Sequence, residues 1–236
     1  EEEIKKRNFQ ENKQQAIKSK SRFLRIIAGA GAGKTTTLAF KIAYLLCAGV
    51  KPKEIVAFTF TERAAQSIKD RIYKRISMIQ GEEACNKLGE MYVGTIHAYC
   101  FKILQDHFGY GDYEVIDDNQ ETAFLMRLGW SFGLGTGGKY SENCRNFIRS
   151  VNVVYDELLK RSEIRKKDER FADHLEEYER ILLKEHRLLT FGLLTSLAVE
   201  KLEDNSDILS SVKYLIVDEY QDINRAQERL INIIGQ

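Results

Sequence analysis

The segment Ala28-Gly29-Ala30-Gly31-Ala32-Gly33-Lys34-Thr35 constrains this chain more than any other stretch. It follows a β-prone run, Phe23-Leu24-Arg25-Ile26-Ile27, and opens a stretch, Lys34 to Ala48, whose Leu38, Ile42, Leu45 and Leu46 fall at helical spacing. Glycines let a backbone turn through conformations that other residues avoid, so its amides can approach an anion closely. A helix starting at Lys34 or Thr35 directs its positive end at the same point. A loop of this kind between strand and helix cradles phosphate. Lys34 is suited to neutralise β- and γ-phosphates, and the Thr35 hydroxyl to ligate Mg2+. The pattern G-x-x-x-x-G-K-[ST] fails only at its first position, Ala28, which is small enough for the turn to close. The expected nucleotide contacts are Ala28, Gly29, Ala30, Gly31, Ala32, Gly33, Lys34, Thr35 and Thr36.

A second signal lies near the other end of the sequence. Leu215-Ile216-Val217 reads as a buried strand and runs into Asp218-Glu219. At the carboxyl edge of a sheet, Asp218 can reach Mg2+ through its water shell, and Glu219 can orient and deprotonate an attacking water. Gln221 can sense a γ-phosphate. Phosphoryl transfer asks for metal, positive charge and a positioned nucleophile, which these residues supply together with Lys34.

Between these signals the pattern alternates. Strand-like runs at 23–27, 54–60 and 91–94 precede helical periods at 34–48, 64–79 and 97–108, which predicts an α/β fold with a parallel sheet covered on both faces. Residues 109–185 lack convincing strands beyond Glu114-Val115-Ile116, so an inserted, mostly helical subdomain is expected there, with 1–108 and 186–236 forming the α/β unit. Gly133-Leu134-Gly135-Thr136-Gly137-Gly138 is a surface link rather than a phosphate cradle, because no Lys-Thr follows it and no strand directly precedes it.

Composition excludes little. The net charge of +1 does not announce nucleic-acid binding. No stretch approaches the roughly 18 apolar residues of a membrane helix, and Glu1-Glu2-Glu3 offers no apolar signal region, so a cytoplasmic setting without membrane is expected. Cys47, Cys85, Cys100 and Cys144 show no C-x-x-C spacing and read as reduced, buried thiols. Lys160-Arg161 and Arg165-Lys166-Lys167 are interleaved with Glu163, Asp168 and Glu169, as on a solvated helix face rather than a duplex-binding patch.

Four segments, in order, resemble motifs of superfamily 1 DNA helicases of the UvrD/Rep/PcrA type. Ala28–Thr35 is similar to motif I of that group, which often carries alanine first. Thr59-Phe60-Thr61-Glu62-Arg63-Ala64-Ala65 resembles motif Ia, T-F-T-N-K-A-A. Gly94-Thr95-Ile96-His97-Ala98 resembles the G-T-F-H-S motif. Val217-Asp218-Glu219-Tyr220-Gln221-Asp222-Ile223-Asn224-Arg225-Ala226-Gln227 is similar to motif II. The resemblance covers the whole chain, most sparsely between 109 and 175. It implies a RecA-like P-loop domain (1A) interrupted by a helical subdomain (1B), and ATP-driven 3′-to-5′ movement on single-stranded DNA and at single-strand–duplex junctions by a monomer. It also implies DNA contacts at Thr59, Phe60, Thr61, Thr95 and His97. Phe60 would pack on a base, which any base accepts because each has a π-face. Thr61 would lie near the backbone, and Thr95 and His97 at phosphate or sugar. Read alone, Phe60 is a core residue at a strand end and His97 a structural histidine.

The chain also departs from the pattern. Lys13 stands in register with the family's adenine-reading glutamine, and neither Gln10 nor Gln14 fits that register. Thr36 stands where an arginine often follows motif I. Thr190 and Gly192 replace aspartates that are frequent before motif II. Motif III and the second RecA-like domain, which carry the arginine fingers, are expected to lie outside this segment, and such an arginine supplies about 10³–10⁵ in rate. Two further readings stand beside this one. The chain could be the helicase part of an AddA/RecB-like helicase–nuclease, or a non-catalytic P-loop module that docks DNA or protein. The joint presence of Lys34, Thr35, Asp218 and Glu219 argues against the second.

Overall fold

The computed structural model describes residues 11–29, 31–130, 134–135 and 139–236. They fall into two compact units. The first takes the described residues up to Tyr99, with Asp207–Asp222 and Ile234–Gln236; the second takes Cys100–Ser206 with Ile223–Ile233.

The first unit is a three-stranded parallel sheet with helices. In chain order it contains α1 (Glu11–Lys18), α2 (Lys34–Cys47), β1 (Ile55–Phe58), α3 (Glu62–Gln80), β2 (Tyr92–Gly94), the start of α4 (Ile96–Phe108) and β5 (Tyr214–Val217). The strand order is β2-β1-β5, and all four residues of the central strand β1 are buried. Alternation along β1 sends Ile55 and Ala57 to one face, where they meet Ile42, Ala43 and Leu46 of α2 and Ala65, Ile68, Ile72 and Ile76 of α3. The α3 positions recur every three or four residues, so a single stripe of that helix is apolar. Phe58 instead joins an edge-to-face cluster with Tyr92 and Tyr99, with ring centroids 4.7–6.1 Å apart. Among the described residues the expected strand at 23–27 is not formed. Phe23 and Ile27 are 79% and 83% exposed, and the run adds no rung to the sheet. Apolar, β-prone composition signals a strand but does not select its partner, and β1 is already paired on both edges.

The second unit is mostly helical. It contains the rest of α4, β3 (Glu114–Ile116), α5 (Asp118–Leu128), α6 (Tyr140–Asp156), α7 (Arg161–Lys167), α8 (Glu169–Arg180), a π-helical turn at Ile181–His186, β4 (Leu188–Thr190), α9 (Phe191–Glu203) and α10 (Arg225–Ile234). β3 and β4 form a two-stranded parallel ladder, in register Glu114↔Leu188. That pairing and the packing of α9 on α6 place residues 186–206 in this unit, whereas the sequence reading groups them with the larger sheet. The three residues of β4 are too few for a period to register. Gly192 lies against the Tyr155 ring, where an added Cβ would come within 3.0 Å, so no larger side chain fits at this position without displacing the ring. The predicted glycine-rich link at 133–138 lies outside the described residues apart from Leu134 and Gly135.

Polar groups are buried here in pairs. The Tyr178 hydroxyl donates to Glu121 Oε1 at 2.6 Å, and Tyr155 donates to Glu179 Oε1 at 2.8 Å, with Arg161 donating to the same carboxylate. Burial pushes both glutamates above the usual carboxylate range, partly countered by the tyrosine donor at Glu121 and by Arg161 and Tyr155 at Glu179. Arg165 reaches Asp173 and Glu176 of α8, at 2.7 Å each. The basic run therefore faces an acidic helix of the same unit.

Replacing Tyr178 by Phe removes the donor from a carboxyl that is 2% exposed. The expected loss in equilibrium urea unfolding is about 1–3 kcal/mol, the cost of a buried acceptor left without its partner. Wild-type stability in that variant would mean that the pair contributes nothing.

Candidate functional site

All three parallel strands end at one edge. The register aligns Phe58 with Gly94 on one side and with Val217 on the other. The segments that begin at Thr59, Thr95 and Asp218 therefore leave the sheet side by side, where parallel α/β folds place their ligands.

The glycine-rich loop and the start of α2 meet the end of β5. Gly31 and Gly33 take φ of 74° and 82°, which glycine reaches without the Cβ clash. Gly33 is the N-cap of α2 and has no side chain with which to cap it, and the first turn of α2 carries no acidic residue. The Thr37 amide and hydroxyl both donate to the Gly33 carbonyl, at 2.9 and 3.1 Å, and Ala32 closes a turn on Gly29 at 3.2 Å. Among the described residues no side chain caps the leading amides of α2, and such amides suit an anion. Ala28 is half-buried beside this turn, and Ala30 lies outside the described residues.

Lys34 and Thr35, at the start of α2, reach both carboxylates. Lys34 Nζ lies 3.1 Å from Glu219 Oε2, and Thr35 Oγ1 donates to Asp218 Oδ2 at 3.4 Å. Asp218 is 7% exposed. Burial, and then the neighbouring Glu219 charge, hold its carboxyl above the usual range against donors from the Glu219 amide and Thr35. Glu219 is held below the usual range by the Gln221 amide and by Lys34. Glu219 has φ of 50°, in the left-handed region that residues with a Cβ seldom adopt; strain of this kind concentrates at functional sites. A hydroxyl and a carboxylate side by side are the hard oxygen donors that Mg2+ takes while keeping most of its water, so the residues present fit that ion.

The expected site residues differ in what occupies them. Gln221 spends its amide nitrogen on Glu219 at 2.7 Å and Asp222 at 3.0 Å. Thr36 accepts from Arg71 Nη1 at 2.7 Å. Arg71 was not singled out from sequence, since 35 positions separate it from Thr36 and no local period links them. With Arg63, Gln66, Ser67, Asp70 and Lys74 it lines a shallow groove along α3. Thr59 is buried, and its amide donates to Gly94 O at 3.0 Å. Thr61 caps α3 by accepting from Ala64 N at 3.1 Å, and Thr95 caps α4 by accepting from Ala98 N at 3.2 Å. Phe60 is 48% exposed and His97 is half-buried. The Gly94 position is set by sterics, since a Cβ there would meet the Tyr92 phenol at 2.7 Å, and that phenol donates to Thr95 O. In the second unit, Asn224 and Gln227 cap each other's amides at the start of α10, and Asn224 Nδ2 donates to Asp156 at 2.7 Å. Those two polar positions of the acidic motif are structural.

A carboxyl whose folded pKa is raised favours the folded chain at acid pH and detracts from stability as pH rises through that value. Asp218→Asn should therefore raise the thermal midpoint of nucleotide-free protein by about 2 °C near neutral pH, a gain that fades on acidification. A lower midpoint for the variant across that range would contradict the opposition between burial and charge at this residue.

Residues 9–236 match the family described as the UvrD/REP helicase N-terminal domain. The chain is 29% identical over 230 residues to a probable DNA helicase of Mycoplasma pneumoniae, with 89% of the chain and 41% of that protein covered. It is 28% identical to the ATP-dependent DNA helicase PcrA of Bacillus subtilis, covering 94% of the chain and 30% of the relative. The corresponding figures for PcrA of Leuconostoc citreum are 30% identity, 97% and 31%. The chain thus spans well under half the length of these relatives. With the loop, the acidic pair and the parallel sheet in the arrangement described, this chain belongs to the UvrD/REP helicase N-terminal domain family.

Proposed function

We propose that this chain forms the ATP-binding wall, and part of the single-stranded DNA track, of an ATP-dependent DNA helicase or translocase. The observation that carries the reading is the meeting of Lys34 and Thr35 with Glu219 and Asp218 at the carboxyl edge of the sheet. Under this reading residues 1–108 and 186–236 belong to a RecA-like domain 1A and residues 109–185 to an inserted subdomain 1B.

The chemistry follows from charges and positions. The uncapped amides of α2 and the Lys34 ammonium hold the phosphates. To do so Lys34 must release Glu219, so phosphate takes over a cation that the nucleotide-free site neutralises internally. The freed Glu219 carboxylate orients the attacking water and accepts its proton, with Gln221 fixing its direction. Thr35 and Asp218 would hold Mg2+, which when bound offsets charge on the phosphate oxygens. At the other two strand ends, the N-termini of α3 and α4 lie side by side, and amides at helix starts suit a phosphodiester backbone. Phe60, exposed between them and β1, offers a stacking face for a base. Arginines from a second RecA-like domain would complete the transition-state site.

Three variants test this. Lys34→Ala should weaken Mg2+-ATP binding at least about tenfold. Glu219→Gln should retain binding and lose turnover. Phe60→Ala should weaken binding of single-stranded homopolymers by about 1–3 kcal/mol without a change in melting temperature. The chain alone should bind nucleotide and turn over negligibly. Unaltered ATP affinity in Lys34→Ala would sink the nucleotide site, and robust DNA-stimulated turnover by the chain alone would sink the shared-site part.

A further inference from the structure

We propose that Tyr92 is a positioning residue of the single-stranded DNA track: its hydroxyl sets the start of α4, which carries Thr95 and His97, at a fixed place relative to Phe60. The inference rests on the DNA track argued above and deepens it.

Tyr92 and Gly94 lie two residues apart on β2 and so point to the same face of the sheet. Register aligns Tyr92 with Val56 and Gly94 with Phe58. The Tyr92 ring packs edge-on against Phe58 of β1 and Tyr99 of α4, with centroids 6.1 and 4.7 Å away. A phenylalanine would fill that cluster equally well. The hydroxyl does more, because it passes over Gly94 and donates to the Thr95 carbonyl at 2.7 Å. Glycine leaves room for that path. A Cβ at position 94 would lie 2.7 Å from the hydroxyl oxygen and 2.9 Å from the ring carbon that bears it.

Two successive carbonyls of the turn between β2 and α4 are thereby tied to different neighbours. The Gly94 carbonyl accepts from the Thr59 amide at 3.0 Å, which joins the turn to the segment that leads into Phe60. The Thr95 carbonyl accepts from the Tyr99 amide at 3.1 Å and from the Tyr92 phenol. The Tyr99 bond belongs to α4 and moves with it. The phenol is what ties the helix start back to the strand. A base stacked on Phe60 and a phosphate at Thr95 and His97 engage together only while those two segments keep their spacing.

The test is binding of a labelled oligothymidylate to this chain, with Mg2+-ATP binding measured on the same samples. Tyr92→Phe keeps the ring and removes the tie. It should weaken oligothymidylate binding about fivefold, the scale of one neutral hydrogen bond, and leave Mg2+-ATP affinity within about twofold. Gly94→Ala, whose Cβ displaces the same phenol, should show a comparable loss. The loss should not add to that of Phe60→Ala. In the double variant Tyr92→Phe should cost under about twofold, because the spacing it guards no longer matters. Wild-type oligothymidylate binding by Tyr92→Phe overturns the role. So do losses that simply add, or an equal fall in ATP affinity, which marks general damage to the fold. If Phe60→Ala weakens binding and Tyr92→Phe does not, the track stands and the positioning role is lost. If Phe60→Ala itself binds as wild type does, the track fails and this inference falls with it.

Discussion

The contacts from Lys34 and Thr35 to Glu219 and Asp218 join points 183 and 185 residues apart along the chain. Closing so long a loop costs conformational entropy that two partly exposed polar contacts cannot supply. The sheet supplies it. β1 is buried and paired on both sides, so backbone hydrogen bonds to it position the end of β5 independently of the site contacts. α2 is fixed independently by Ile42, Ala43 and Leu46 against the same strand. The contacts of the candidate site are therefore consequences of the core.

Several groups at that edge are held in states that a folded chain otherwise avoids. Asp218 is buried beside another carboxylate, Glu219 has a left-handed backbone, and α2 starts without a side-chain cap. A divalent cation would offset the carboxylate charges, and an anion would satisfy the amides at the start of α2. Such convergence separates a site from a merely polar surface. The same reasoning dismisses the basic run of the second unit, where Arg161 and Arg165 are already neutralised by Glu179, Asp173 and Glu176.

Much of the arrangement was legible in the residues. The glycine-rich loop with Lys34 and Thr35, the strand before Asp218, and the apolar stripe of α3 are local patterns, and local patterns survive into structure because helix and strand periods are set by backbone geometry. Arg71 at Thr36, the reciprocal cap of Asn224 and Gln227, and β4 were not legible. The first joins separate helices, the second serves a helix start hidden within a longer motif, and the third is too short to show a period.

By itself the sequence determined the α/β class, the glycine-rich loop before Lys34, the acidic pair and the family, since each is written in residue identities a few positions apart. Tertiary structure decided which apolar run becomes a strand and what the polar side chains already hold. Phe23–Ile27 has the composition of a strand and no partner, while Leu188–Thr190 has little signal and pairs. The reason is physical: propensity acts within a few residues, whereas strand pairing, burial and charge neutralisation depend on groups that only folding brings together.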